Sequence, residues 1–151
     1  MRSPATRLRH ALERRLRPRP QRILVVDDSP DIREMWVQWL KIWGFAVDQA
    51  VDGFDAVERA CACRPDLVLM DLWMPGLDGF AATQRLKANA ALAGVPVVAL
   101  SADNRSSTPG RALAAGCDAF LPKPVSSDDL LEQIRMTLRS TRAAPGPAHP
   151  S

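Results

Sequence analysis

Five short apolar segments alternate with amphipathic segments along this chain, and the alternation constrains the fold more than any other feature of the sequence. The apolar segments lie at residues 23–26, 45–49, 66–71, 96–100 and 117–121. The intervening segments are predicted helices, at residues 30–43, 54–63, 80–93, 111–115 and 128–139. Short strands that alternate with helices predict parallel strands joined by right-handed crossovers, with helices on both faces. The sequence therefore predicts one α/β domain with a doubly wound, five-stranded parallel sheet.

The charge of the chain is distributed unevenly. The first 20 residues carry seven arginines and one glutamate, whereas residues 22–140 carry 12 basic and 16 acidic side chains. The overall net charge of +3 thus comes from the N-terminal segment and not from the predicted domain. We therefore do not expect the domain itself to bind nucleic acid.

The ends of the chain differ in composition from its middle. We expect a basic leader at 1–20, a domain at 21–140 and a flexible tail at 141–151, since the tail is rich in Pro, Gly and Ala. Leu8, Leu12 and Leu16 recur every four residues, a spacing that suits a short amphipathic helix against a partner or an anionic surface. Disorder is the favoured interpretation of the leader.

The cysteines and the apolar runs bear on the cellular compartment. Three cysteines, Cys61, Cys63 and Cys117, form no disulfide framework and no zinc-ligand pattern. No apolar run approaches the roughly 20 residues of a membrane span. These features predict a cytoplasmic protein with reduced thiols.

Polar side chains follow four of the predicted strands, at the point where each strand ends. Asp27 and Asp28 follow the first strand, Asp71 ends the third, Ser101 follows the fourth and Lys123 follows the fifth. The carboxyl ends of parallel strands meet at one edge of a sheet, so these side chains should converge. Clustered carboxylates need a cation among them, and oxygen ligands suit Mg²⁺. With an ammonium and a hydroxyl added, the set suits phosphoryl transfer.

The same residues carry a resemblance to a known family. Residues 66–79 read DLVLMDLWMPGLDG and, together with Asp27-Asp28, Ser101 and Lys123-Pro124, resemble a receiver domain of the two-component response-regulator family. The resemblance extends from about residue 22 to residue 139. It implies a flavodoxin-like, CheY-like fold with strand order 2-1-3-4-5 and a cis peptide bond before Pro124. It also implies a signalling domain that catalyses only its own phosphorylation and dephosphorylation.

The resemblance assigns roles to the converging residues. Asp71 corresponds to the phosphoacceptor. Asp28 would bind Mg²⁺ directly and Asp27 through water, while Asp71 and the backbone carbonyl of Trp73 would complete the protein ligands. Lys123 would bind the phosphoryl group.

The resemblance also implies a switch and partners. Ser101 and Phe120 correspond to the switch hydroxyl and the switch aromatic. The donor would be a histidine kinase or a histidine phosphotransfer protein. An unknown downstream protein would contact the face built from the domain's fourth helix, fifth strand and fifth helix. The residues implied in kinase docking are Asp31, Ile32, Met35, Gln38 and Trp39.

The same residues disfavour two other families and leave the role of the domain open. Haloacid dehalogenase-like phosphatases need a second aspartate two residues after the nucleophile, where this chain has Trp73. A dinucleotide-binding fold would require a glycine-rich turn after the first strand, where this chain has Asp27-Asp28. Three roles stay open: a stand-alone receiver, a phosphorelay intermediate, and a detached receiver of a hybrid histidine kinase.

Two helices of the predicted domain carry further expectations. In residues 30–43, Trp36, Trp39 and Trp43 share the inward stripe, whereas Val37 and Ile42 fall outside it and are expected to be exposed. The helix before Gly116 should be short, with Thr108 as its N-cap and Pro109 as its first residue. Residues 103–107 would then form a loop.

Overall fold

The computed structural model describes residues 3–16, 19–103 and 105–143. In these ranges the elements follow in the order α1 (Pro4–Leu16), β1 (Arg22–Val26), α2 (Pro30–Ile42), β2 (Ala46–Ala50), α3 (Gly53–Cys63), β3 (Leu67–Asp71), α4 (Gly79–Ala88), β4 (Val97–Ser101), α5 (Thr108–Ala115), β5 (Ala119–Pro122) and α6 (Ser127–Ala143).

The five strands form one parallel sheet in the order β2-β1-β3-β4-β5. This confirms the predicted fold class and strand order. Val26 at the end of β1 pairs with Met70, Asp71 at the end of β3 pairs with Leu100, and Ser101 pairs with Pro122. The carboxyl ends of β1, β3, β4 and β5 therefore lie side by side along one edge of the sheet.

The sheet separates two apolar layers. Helices α3, α4 and α5 cover one face, and α2 and α6 cover the other. Strands β3 and β4 are buried along their whole length. Complete burial of one large aliphatic side chain stabilises a fold by about 1.5–3 kcal/mol, so these central strands fix the position of the edge that they end on.

Side-chain caps and glycines set the ends of several helices. Ser29, Asp52 and Asp78 cap α2, α3 and α4 by accepting backbone N–H bonds. Gly44 and Gly116 follow α2 and α5 with φ of 92° and 108°, a left-handed conformation that favours glycine. Helix α5 therefore ends where the sequence predicts, and α2 ends one residue earlier than predicted, at Ile42.

Helix α4 ends earlier than predicted. The expected helix runs to residue 93, whereas α4 ends at Ala88. The Asn89 side-chain oxygen accepts the N–H of Ala91 at 2.9 Å, and the N–H of Leu92 donates to the Asn89 carbonyl at 3.0 Å. These local hydrogen bonds turn the chain and compete with continuation of the helix.

The structure describes part of each end of the chain. The leader contains a helix, α1, in keeping with the amphipathic alternative, and its Leu8 and Leu12 side chains are exposed. Helix α6 runs past residue 140 to Ala143, while the rest of the predicted tail, 144–151, lies outside the described residues. No helix in the described ranges is long and apolar enough to cross a membrane.

Helix α2 buries a different arc from the predicted one. Val37 is only 1% exposed, so its predicted exposure is wrong, whereas Ile42 is exposed as expected. Trp36 lies in the core, but Trp39 and Trp43 are only half-buried. The buried arc contains Trp36, Val37 and Leu40 because α2 packs over both β1 and β2.

Helix α5 is short, as the sequence predicts, and spans eight residues. The described residues between Asp103 and Ser107 are not helical, and Asn104 lies outside the described residues. The predicted N-cap is wrong by one position. Ser107 is the N-cap and makes no side-chain capping bond. Thr108 lies inside the helix, and its hydroxyl donates to Asp103 at 2.8 Å.

Candidate functional site

Three aspartates meet at the carboxyl edge of the sheet. Asp27 directly follows β1, and Asp71 ends the neighbouring strand β3. Asp27 and Asp71 are 2% and 7% exposed, whereas Asp28 is open to solvent. One carboxylate oxygen from each lies within 4.8 Å of the others. The structure therefore brings together all three acids that the sequence singles out.

Lys123 lies among these carboxylates. Its Nζ is 3.2 Å from Oδ2 of Asp27 and 3.7 Å from Oδ1 of Asp71. The backbone holds Lys123 there, since its N–H donates to the Ser101 carbonyl at 2.7 Å. Its peptide bond to Pro124 is cis, as expected. One ammonium therefore offsets part of the repulsion between two buried acids.

Burial raises the pKa of Asp71 to about 6. The negative charges of Asp27 and Asp28 add to this rise, while Lys123 and the backbone N–H of Trp73 oppose it. The N–H of Trp73 donates to Oδ1 of Asp71 at 3.3 Å. Asp71 thus ionises with difficulty on its own, and an added cation would favour its charged form.

Asp27 is held by more partners than the sequence suggests. Its Oδ1 accepts the N–H of Ser29 at 2.9 Å, and its Oδ2 accepts from Lys123. The Arg33 guanidinium donates to the Asp27 carbonyl at 2.8 Å and to the Gln49 side chain at 3.2 Å. Arg33 is not among the site residues predicted from the sequence, although a basic residue one turn into the helix after an acidic pair is a usable signal.

The donor set fits a hard divalent cation. Carboxylate oxygens are the ligands that Mg²⁺ prefers, and their spacing here allows one ion to contact more than one acid after small side-chain rotations. Asp28 is exposed, whereas both carboxylate oxygens of the buried Asp27 already accept hydrogen bonds. Direct binding by Asp28 and water-mediated binding by Asp27 stay predictions. The carbonyl of Trp73 as a ligand stays a prediction.

The loop after β3 folds tightly onto the site. Gly79 opens α4, and its N–H donates to the Leu72 carbonyl at 3.0 Å. A Cβ on Gly79 would collide with the Asp71 carbonyl and would lie 2.7 Å from Leu72 Cα. The glycine at the end of the PGLDG segment therefore allows the loop to close directly behind Asp71.

Ser101 is fully buried at the end of β4. Its Oγ accepts the N–H of Asp103 at 3.0 Å. The Asp103 carboxylate in turn accepts from the Arg105 side chain at 2.8 Å and from Thr108 at 2.8 Å. Hydrogen bonds from the Arg105 N–H and from Thr108 lower the pKa of Asp103. Asp103 is not among the site residues predicted from the sequence, although an Asp two residues beyond a strand often stabilises a turn.

Phe120 lies on β5, opposite Ala99 of β4. Its ring is half-buried and packs against the apolar layer that α3, α4 and α5 cover. It therefore lies one strand away from Ser101, its expected partner in switching.

The five expected kinase-docking residues do not form one uniform surface. Asp31, Ile32, Met35 and Gln38 are exposed, whereas Trp39 is half-buried. Ile32 and Met35 line a mostly apolar cavity of about 290 Å³. The other lining residues are Trp36, Ala102, Lys123, Pro124 and Val125. Two of the five residues thus lie beside the loop that carries Lys123.

Comparisons with known proteins agree with this arrangement. The family model for the response regulator receiver domain matches residues 23–135. Response regulator MprA of Mycobacterium sp. strain KMS is 37% identical over 132 residues, which are 87% of this chain and 56% of MprA. RpaA of Synechocystis sp., a DNA-binding dual master transcriptional regulator, is 36% identical over 82% of this chain and 52% of its own length.

A solved structure is similar as well. The receiver domain of sensor histidine kinase PA1611 from Pseudomonas aeruginosa, with magnesium coordinated in its active-site cleft, has a TM-score of 0.75 and 31% identity. The likeness covers 80% of this chain and 99% of that one. The chain spans about half the length of the curated relatives that it matches. Since the family model covers all of the sheet except Arg22 and includes all the converging residues, the chain belongs to the response-regulator receiver domain family of two-component signalling.

Proposed function

We propose that this chain is a phosphorylation-activated receiver. Asp71 accepts a phosphoryl group from the phosphohistidine of a histidine kinase or a histidine phosphotransfer protein, in a Mg²⁺-dependent reaction. The observation that carries the proposal is the position of Lys123 Nζ, 3.2 Å and 3.7 Å from two buried carboxylates at the edge where β1 and β3 end. A carboxylate nucleophile beside fixed positive charge is what transfer of a phosphoryl group requires.

The reaction is an in-line displacement at phosphorus. An oxygen of Asp71 forms the new O–P bond while the P–N bond of the donor breaks, and the leaving imidazole keeps the bonding electron pair. Asp27, Asp28, Asp71 and the Trp73 carbonyl would hold Mg²⁺, which supplies positive charge to the phosphoryl oxygens. Lys123 stabilises the same oxygens from the β5 side.

The switch begins at Ser101. Its hydroxyl accepts one hydrogen bond, from the Asp103 N–H, so its own proton remains available for donation to a phosphoryl oxygen. Movement of Ser101 toward that oxygen strains its bond to Asp103 and disturbs the loop before α5. Phe120 then turns into the vacated space. The equilibrium between two conformations of the face of α5, β5 and α6 shifts as a result.

The chain acts in the cytoplasm through protein–protein contacts. Because RpaA is described as a DNA-binding regulator and is about twice as long as the matched region, a DNA-binding effector is one candidate for the downstream partner. A second candidate role is the detached receiver of a hybrid histidine kinase, or a phosphorelay intermediate. The similar receiver domain of the sensor histidine kinase PA1611 favours this second role.

Intact-mass spectrometry tests the proposal. The chain is incubated with Mg²⁺ and acetyl phosphate, and we expect one added phosphoryl group that disappears when EDTA is present. Asp71→Asn should remove the adduct. Asp66→Asn, which changes an exposed aspartate just before the other end of β3, should keep it. Undiminished phosphorylation of Asp71→Asn would refute the assignment.

A further inference from the structure

Exposed aromatic rings and arginines form one surface on the side of the sheet that α3, α4 and α5 cover. Its members come from separate parts of the chain, and we call it the arginine–aromatic surface: Phe54, Trp73, Arg85, Arg105 and Arg111. Phe54 is 56% exposed and Trp73 is 40% exposed, so large apolar area remains open to solvent. All three arginines are exposed. None of these side chains has a role in the proposed phosphoryl transfer.

Each exposed ring lies under at least one guanidinium. The Arg85 guanidinium carbon is 5.3 Å from the centre of the Phe54 ring. Arg105 and Arg111 lie 5.1 Å and 5.7 Å from the centre of the Trp73 ring. These distances are within the range of cation–π attraction, which holds the arginine side chains in place.

The two ring clusters are connected. The buried ring of Phe80 on α4 meets Trp73 edge-on at 5.7 Å, and Arg111 lies 4.3 Å above its centre. Helix α4 packs between α3 and α5, and the loop of residues 72–78 runs from Trp73 towards Phe54. At Gly76 in this loop, a Cβ would come within 4.0 Å of the Phe54 ring. The surface is therefore continuous from α3 to α5.

The guanidinium groups still have hydrogen-bonding capacity. Among the described residues, Arg85 and Arg111 make no side-chain hydrogen bond or ion pair, and Arg105 uses only its Nε, towards Asp103. A guanidinium that lies over a ring keeps N–H groups at its outer edge. Such an edge binds carboxylates in a bidentate manner.

We propose that the arginine–aromatic surface binds an acidic segment of a partner protein. Carboxylates of the segment pair with Arg85, Arg105 and Arg111, and an apolar side chain between them packs on the exposed parts of Phe54 and Trp73. Tryptophan and arginine are the residue types that contribute most to protein interfaces. The surface borders the face of α5, β5 and α6 assigned to output, because Arg111 lies on α5. Its parts on α3, on α4 and at Trp73 lie outside that face, and its binding does not require phosphorylation.

Single-stranded nucleic acid is the other ligand that arginines and aromatic rings attract. It binds by stacking bases on free ring faces. Here a guanidinium already lies over each of the two exposed rings. In addition, residues 22–140 carry four more acidic than basic side chains. A long polyanion is repelled by that net charge, whereas a short acidic segment needs only the local positive charge. The structure therefore favours a protein partner.

Selection of displayed peptides that bind to the 151-residue chain tests this proposal. Short random peptides are selected for binding, and we expect the selected sequences to combine Asp or Glu with an aromatic or aliphatic residue. Replacement of Arg85, Arg105 and Arg111 by Gln should weaken the best peptide by about tenfold or more, measured by fluorescence anisotropy. The matched control replaces the exposed Arg64, Arg135 and Arg139 by Gln and should change affinity less than twofold.

Two further measurements separate the alternatives. Replacing the three arginines of the surface by Lys keeps the charge, and we expect most of the affinity to be lost because lysine cannot bind a carboxylate in a bidentate manner. Thermal unfolding checks that every variant is folded. Selection of neutral or basic peptides, equal weakening in the control variant, or tighter binding of oligothymidine than of the peptides would overturn the proposal.

Discussion

Asp71 and Asp103 lie at or just beyond the ends of the neighbouring strands β3 and β4, yet their surroundings shift their pKa values in opposite directions. Burial raises the pKa of Asp71 to about 6. The pKa of Asp103 is lowered because the N–H of Arg105 and the Thr108 hydroxyl donate to its carboxylate. Asp71 is placed by the central strands of the sheet, whereas the partners of Asp103 lie within five residues of it.

The difference distinguishes a reactive carboxylate from a structural one. Asp71 accepts one long backbone hydrogen bond and has a lysine at 3.7 Å, so it retains capacity for a cation or a phosphoryl group. Asp103 is satisfied by its neighbours and holds the loop between β4 and α5 together. Two similar aspartates therefore serve different purposes, one in the chemistry and one in the conformation of the switch.

The largest expected effect is a difference in stability between two glycine-to-alanine substitutions, one behind Asp71 and one in α5, the helix that follows the Asp103 loop. Gly79→Ala should destabilise the protein by about 3 kcal/mol or more, since the added Cβ meets the backbone of Asp71 and Leu72, which cannot move freely. Gly110→Ala, in α5, should stabilise it by about 0.5–1 kcal/mol, because a Cβ there meets open space in a helix. Urea unfolding measures both values. Effects of the same sign would contradict the contrast between a packed site and an open helix.

The next effect depends on the raised pKa of Asp71. Its pKa rises from 3.8 to about 6 on folding, so the folded protein binds this proton more tightly than the unfolded chain does. The tighter proton binding stabilises the folded protein fully below about pH 3.8, and this stabilisation is lost as the pH rises through about 6. Without divalent cations, Asp71→Asn should therefore be more stable than the wild type by about 2 kcal/mol at pH 7.5. At about 1.4 kcal/mol per pKa unit the full change in pKa corresponds to about 3 kcal/mol, and solvent screening at the edge of the sheet reduces this value.

The pH profile provides the control for this prediction. The advantage of Asp71→Asn should shrink towards pH 4, and Mg²⁺ should reduce it at pH 7.5 by stabilising the wild type. Lower stability of Asp71→Asn at pH 7.5 in EDTA would show that the burial of Asp71 does not dominate its energetics.

A smaller effect concerns the two other acids of the site. Asp28→Ala should weaken Mg²⁺ binding by about tenfold, because a direct ligand loses its metal–oxygen bond, and Asp27→Ala by only about threefold. The exposed Asp28 and the buried Asp27, whose oxygens are already engaged, support this order. Titration calorimetry measures both constants, with Asp31→Ala as the control. Equal weakening in the two variants would defeat the assignment.

The smallest effect concerns the loop that Asp103 holds. We expect amide hydrogens of residues 105–107 to exchange faster than those of β3, since local hydrogen bonds hold this segment. Asp103→Ala should accelerate exchange at the Arg105 amide severalfold and leave β3 unchanged. Strong protection across residues 105–108 in the unphosphorylated wild type would show that the loop is as firmly held as the strands.

Most of the sheet could be predicted because its signals are local. Apolar runs of four to six residues bounded by turn residues are typical of buried strands, since helices are usually longer. The short helix α5 was equally accessible, since Pro109 and Gly110 limit where it can begin. The N-cap of α5 could not be predicted in this way, because Thr108 bonds to Asp103 instead of capping the helix.

The sequence by itself determined the strands, the order of the polar residues at their ends and the family that those residues resemble. Only the tertiary structure decided which of them touch. Lys123 and Asp27 are 96 residues apart in the chain, and packing of the sheet brings them to 3.2 Å. Burial of Val37, the contact of Arg33 with Asp27 and the opposite pKa shifts of Asp71 and Asp103 likewise depend on neighbours that no local pattern contains. The physical reason is that periodicity reports which face of an element is apolar, whereas desolvation and charge depend on every element packed against it.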